Sequence, residues 1–151
     1  MEEREKLTIR DAENAQRGIL ALVSAYPYFQ NGFKADNTTV KWNSIAHDKS
    51  IGLFPLQGAV YIGKYINGSY KAQMPFQIVF RSSPTSNKAN IDAHQLLTDL
   101  ACWMENSVIE FKDTHMKLES INRTSPVFGE GQNEKTTDYA VNMQLKYFYE
   151  K

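Results

Sequence analysis

Tyr65-Ile66-Asn67-Gly68-Ser69-Tyr70, followed by Met74-Pro75-Phe76-Gln77-Ile78-Val79-Phe80-Arg81, is the stretch on which the fold of this chain turns. Asn-Gly between two runs rich in aromatic and β-branched residues is the strongest short-range signal for a β-hairpin. A two-residue type I′ turn needs positive φ at both central positions, which Asn67 and Gly68 tolerate. The strands then read as Ala59 to Ile66 and Ser69 to Arg81. Such a turn sets Ile66 opposite Ser69 and Tyr65 opposite Tyr70. A cross-strand aromatic pair of this kind adds up to about 1 kcal/mol.

Downstream, Ser82 to Ser86 is a Ser/Pro/Thr loop, and a helix runs from Asn87 or Asn90 to Asn106. Ala93, Leu96, Leu97, Leu100, Ala101 and Met104 line one of its faces at helical spacing. His115 to Ile121 reads as a strand with Met116 and Leu118 inward. Gly129-Glu130-Gly131-Gln132-Asn133-Glu134-Lys135 is polar and Gly-containing, and reads as a mobile loop. In the last strand Tyr139, Val141, Met143, Leu145, Tyr147 and Tyr149 alternate with Ala140, Asn142, Gln144, Lys146, Phe148 and Glu150. Phe148 alone breaks the strict alternation.

Upstream, Thr8 is positioned to cap a first helix, whose apolar face carries Ile9, Ala12, Ala15, Ile19, Leu22, Val23 and Tyr26. Pro27 disfavours its continuation. Thr38 to Ile45 reads as a strand with Val40 and Trp42 on one face. Gly52 and Pro55 confine the apolar segment Ile51 to Leu56 to an edge or an irregular stretch. These elements predict a single α+β domain over residues 1–151. Its antiparallel-rich, mixed sheet has about five strands, with both helices on one face and the order α-β-β-β-α-β-β.

Composition narrows the partners. The 151 residues include 17 basic and 17 acidic side chains, for a formal net charge of zero. No basic run supplies the phosphate-neutralising footprint of specific nucleic-acid binding. Neutrality eases self-association, and eight Tyr and eight Phe suit protein contacts. No apolar run approaches a membrane span. The charged Met1-Glu2-Glu3-Arg4-Glu5-Lys6 start lacks the apolar centre of a signal peptide, so synthesis in a reducing cytoplasm is expected.

Catalytic chemistry finds little to work with. His47, His94 and His115 fall in different elements, without the ligand spacing that marks a zinc site. His94 and Cys102 lie eight residues apart on one helix, about 12 Å in rise, which is beyond hydrogen-bond reach. Cys102 therefore reads as a small core residue. Asp99 and Glu105 read as a solvated helix face. No catalytic, cofactor-binding or metal-ligating residue is assigned, and no cofactor is expected. Two readings besides a structural protein stay open at this point: a small soluble enzyme with a site assembled from distant residues, and a sheet-edge protein-binding module.

Several of these segments together resemble a phage minor-capsid family found in tail-gene clusters of Gram-positive hosts. The likeness is carried by Tyr65-Ile66-Asn67-Gly68-Ser69 leading into Phe76-x-Ile78-x-Phe80-Arg81-Ser82, by Asn90 and Trp103 in the second helix, by Tyr26-Pro27, and by Tyr139 to Phe148. Asn67 stands where the family more often has Asp. The resemblance implies a tail terminator of a long-tailed phage or prophage, located in the virion at the tail end of the head–tail junction. It implies a protomer that can be monomeric in solution and that assembles into a homo-hexameric ring. The ring's partners would be the major tail tube protein and a head connector or stopper protein. Residues Gly129 to Lys135 are the candidate assembly loop, and Asn67 and Gly68 the structural turn.

Overall fold

A central antiparallel pair of long strands organises the molecule. The computed structural model describes residues 2–26, 39–43, 50–57, 61–82, 87–132 and 137–151. Its elements are α1 (Glu2–Ser24), β1 (Thr39–Trp42), β2 (Ser50–Pro55), β3 (Tyr61–Lys64), β4 (Tyr70–Ser82), α2 (Asn87–Glu105), β5 (Met116–Arg123), β6 (Phe128–Gln132) and β7 (Thr137–Tyr149). The 13-residue strands β4 and β7 pair along their whole length, from Tyr70↔Tyr149 to Ser82↔Thr137. Along its other edge β4 pairs with β2 over Phe76–Arg81 and with β3 over Tyr70–Ala72. Along its other edge β7 pairs with β6 over Thr137–Ala140 and with β5 over Met143–Tyr149. Among the described residues only β1, beside β2, pairs in parallel. Seven strands thus fill a sheet five ranks wide, in the order β1-β2-β4-β7-β5 with β3 and β6 off that path.

The expected order had one strand fewer on each side of α2. Ser50–Pro55 is neither irregular nor an edge, because it pairs with β1 on one side and β4 on the other. The composition rule failed for a local reason. β1 covers only Ser50–Leu53, so Pro55 lies where the strand has become an edge again. Pro75 is accommodated in a similar way. Its carbonyl accepts from the Leu56 amide at 3.0 Å, so its ring nitrogen also points away from β7, into the interval between β2 and β3. No β4–β7 ladder bond is lost there.

Alternation along the strands builds one apolar face. Ile51 and Leu53 of β2, Phe76, Ile78 and Phe80 of β4, and Val141, Met143, Leu145 and Tyr147 of β7 are buried in one cluster. Ala15, Ile19 and Val23 of α1 join it, as do Ala93, Leu97, Leu100, Ala101 and Met104 of α2. Both helices therefore cover the same face, as the sequence pattern predicts. Helix α1 begins at Glu2, so Thr8 lies within it rather than capping it. Beyond its end, the buried Tyr26 ring meets Trp103 of α2 edge-on at 5.2 Å.

The opposite sheet face is largely polar. Gln77 Nε2 donates to Asn142 Oδ1 at 3.0 Å, Gln144 Nε2 donates to Gln73 Oε1, and Arg81 makes two bonds to Asp138 at 2.9 and 3.0 Å. The Asp138 carboxylate holds the Arg81 guanidinium above its ordinary pKa, outweighing the opposing effect of burial.

Candidate assembly surface

The quoted hairpin forms, with a different turn. The Gly68 amide donates to the Tyr65 carbonyl at 3.0 Å, and the Tyr65 amide donates to the Ser69 carbonyl at 2.8 Å. Lys64 faces Tyr70, so the expected Tyr65–Tyr70 pairing is off by one residue. Only Gly68 has positive φ, at 91°; Asn67 does not. This is a three-residue loop, Ile66-Asn67-Gly68, built on a type I turn followed by a left-handed glycine. Asn67 contributes through its side chain: Oδ1 accepts from the Ser69 amide at 3.0 Å, which closes an Asx turn. That bond favours the Asn conformation seen over the left-handed one a type I′ turn demands.

The register change redirects the aromatic rings. Tyr70 is buried, stacks on Tyr149 at 5.1 Å and meets Tyr61 edge-on at 5.1 Å. Tyr65 instead turns to the polar face and meets Phe148 edge-on at 5.9 Å. This contact accounts for the residue that breaks the alternation in the last strand. Lys64, Tyr65, Ile66, Asn67, Ser69 and Phe148 line an open groove of about 570 Å³. Ile66 projects from the loop with its side chain fully in solvent, at 108% relative exposure.

The residues after β7 pack against the loop of this hairpin. The Lys151 amide donates to Ser69 Oγ at 3.0 Å, and the Lys151 side chain lies over Gly68. Lys117 Nζ bonds Glu150 Oε2 at 2.9 Å, and this bond lowers the Glu150 pKa below its ordinary value. His115 Nδ1 lies 2.8 Å from the Glu150 carbonyl.

The second expected site falls elsewhere. Gly129 to Gln132 are not a loop: they belong to β6, where Gly129 faces Tyr139, Gly131 faces Asp138 and Gln132 faces Thr137. The register shifts between Gly129 and Gly131, leaving Glu130 as the extra residue. A low apolar content hid a strand whose pairing is supplied by β7. Asn133, Glu134 and Lys135 lie outside the described residues. Gly129 sits by Tyr139, whereas the hairpin loop sits by Tyr149, so the structure does not bring the turn and the glycine segment together.

The residues weighed for catalysis are scattered. His94 is exposed and edges onto Tyr139 at 6.3 Å. His47 lies outside the described residues. Cys102 is exposed, not in the core. Asp99 accepts from Gln95, while Glu105 pairs with Arg123 at 2.8 Å. Among the described residues no group of three or more His, Cys, Asp and Glu could hold a metal ion, and no helix is long and apolar enough to cross a membrane. The sequence reasoning missed the exposed apolar side chains Ile62, Tyr65 and Ile66. For Ile66 the exposure follows from the three-residue loop, which leaves its first side chain outside the ladder, and Asn-Gly alone does not select that loop.

No protein-family model matches the sequence, and no curated protein matches it. The fold does have a solved counterpart. It is similar to a chain of the virion of a native gene transfer agent particle, with a TM-score of 0.61 over 88% of this chain and 93% of that chain. Sequence identity is 6%, so the likeness is one of fold.

Proposed function

We propose that this chain is a non-enzymatic structural protein of a phage or prophage particle, acting as the tail terminator that caps the tail tube. One observation carries most of the weight: nearly the whole fold, 88% of this chain against 93% of the other, matches a chain of the virion of a gene transfer agent particle. The sequence resemblance to minor-capsid proteins of tail-gene clusters points to the same role.

The physical task suits such a protomer. Heterologous contacts that close a ring leave no free lateral edge, and so end lateral growth. A homo-hexameric ring would place one face on the last tier of major tail tube protein and the other toward a head connector or stopper protein. Small interfaces bind weakly one at a time, so a free monomer that closes into a ring on the tube is expected. The hairpin loop around Asn67 and Gly68 and the strand segment Gly129 to Gln132 lie at two ends of the sheet.

Purified protein mixed with isolated tail tubes provides the test. Negative-stain microscopy should find one ring-shaped cap at one end of each tube. Decoration along the tube wall, or no binding, would refute the terminator role.

A further inference from the structure

We infer that copies of this chain join head to tail, with the β3–β4 hairpin loop of one copy seated on the outward face of α2 in the next. The inference rests on the ring reading above and names the contact that would build the ring.

Exposure comes first. Ile62, Tyr65, Ile66, Ile91 and Val108 are the exposed large hydrophobic side chains among the described residues. Three of them cluster on the hairpin. Ile91 begins an exposed strip on α2 with Asp92, Gln95 and Asp99, which are neighbours at helical spacing. The three gathered on the hairpin mark a contact surface more often than singly scattered side chains do, and on α2 Ile91 is the exposed large apolar side chain among the described residues.

The two surfaces carry opposite charge. Residues 61–82 contain Lys64, Lys71 and Arg81 and no carboxylate. Lys71 and Arg81 are paired with Glu119 and Asp138, while Lys64 lies 4.4 Å from the Tyr61 ring centroid and bonds no described carboxylate. Helix α2 carries Asp92, Asp99 and Glu105 against one lysine, Lys88. Glu105 is engaged by Arg123 and Asp99 by the neutral Gln95, while Asp92 and Asp99 are both exposed and make no ion pair with a described cation. The apolar loop beside the Lys64 ammonium, which rests over the Tyr61 ring, thus complements Ile91 beside the exposed carboxylates of Asp92 and Asp99.

Their placement sets the symmetry. The hairpin loop adjoins Tyr70, which faces Tyr149 at one end of β7. The first turns of α2 lie at the other end, where His94 touches Tyr139. Ten residues of strand separate Tyr139 from Tyr149, about 33 Å. One molecule cannot bring its own two patches together. A contact between unlike patches on two copies is heterologous, which is the type that generates rings.

Cross-linking tests this directly. Ile66→Cys and Ile91→Cys are each prepared in a Cys102→Ala background, so that every chain carries one thiol. Both substitutions are at exposed positions, and circular dichroism checks that the fold is kept. The mixture, treated with a short bismaleimide at high protein concentration, should give a linked dimer that neither variant gives alone. A comparable product from Ile66→Cys alone or Ile91→Cys alone would mean a symmetric contact and overturn the inference. No linked product would overturn it as well. Light scattering on the wild-type chain separates this from the ring reading. A six-fold mass without mixed cross-links leaves the ring standing and this contact refuted. Mixed cross-links with open-ended growth leave the contact standing and ring closure refuted.

Discussion

Gly68 has a φ of 91°, a conformation that a β-branched residue adopts only with strain. The atom nearest an added Cβ would be the Lys151 Cδ at 2.7 Å, the far end of a flexible side chain that can move. Backbone strain, not crowding, therefore decides the outcome. Gly68→Val should destabilise the protein by about 1–3 kcal/mol, read as a lower thermal midpoint, and Gly68→Asn by clearly less. Gly18 poses the opposite case. An added Cβ would lie 2.8 Å from Ile109 Cγ2, and Ile109 is buried. Overpacking costs about 1–3 kcal/mol, while replacing glycine within a helix returns about 1 kcal/mol. Gly18→Ala should therefore lower the denaturation midpoint; a raised midpoint would show that the segment around Ile109 moves aside freely. Cys102 illustrates a residue misread from its neighbours. Ala101 and Met104 face the core, and the 100° step from Ala101 carries Cys102 to solvent.

Elements were legible where their own residues carry the period. Helix α2 and strand β7 announce themselves by spacing, and the structure buries the sides that the spacing selects. The signal failed where a partner strand supplies the reason. β2 tolerates Gly52 because that position lies between Lys41 and Val79 in the sheet. β6 has almost no apolar content, yet its backbone completes the edge of β7. The turn was read one residue short because Asn-Gly serves both a two-residue loop and a three-residue loop, and the Asn67 side-chain bond selects the latter. The candidate surface was half visible: Asn67 and Gly68 sit at the loop, but the exposure of Ile66 follows only from the longer turn. Amide exchange should reflect this hierarchy. Central β4 and β7 amides should exchange slowest, with β6 faster because of its bulge and its single partner. Amides of β3 should gain protection when the protein assembles. Equal rates in β3 before and after assembly would exclude the hairpin from the contact.

The molecule as a whole is neutral but unevenly so, with a carboxylate-free hairpin at one end and an acidic helix strip at the other. Charge also ties the end of β7 to β5. Hydrogen bonding to Lys117 lowers the Glu150 pKa in the folded protein, so this pairing stabilises the fold above the ordinary glutamate value of 4.5 and is lost as pH falls through the lower folded value. Glu150→Gln should therefore melt below wild type at neutral pH, with the difference closing once pH is well under 4.5. A difference independent of pH would assign the effect to packing.

The terminator reading places this protein at the step that fixes tail length and readies the tail for its head. On that reading the gene belongs to a phage or prophage, and deleting it and measuring tail lengths by electron microscopy tests the reading most directly. The account predicts tails of irregular and excessive length that fail to join heads, with normal lengths restored when the protein is supplied from a plasmid. Tails of normal, uniform length attached to heads in the deletion strain would contradict it.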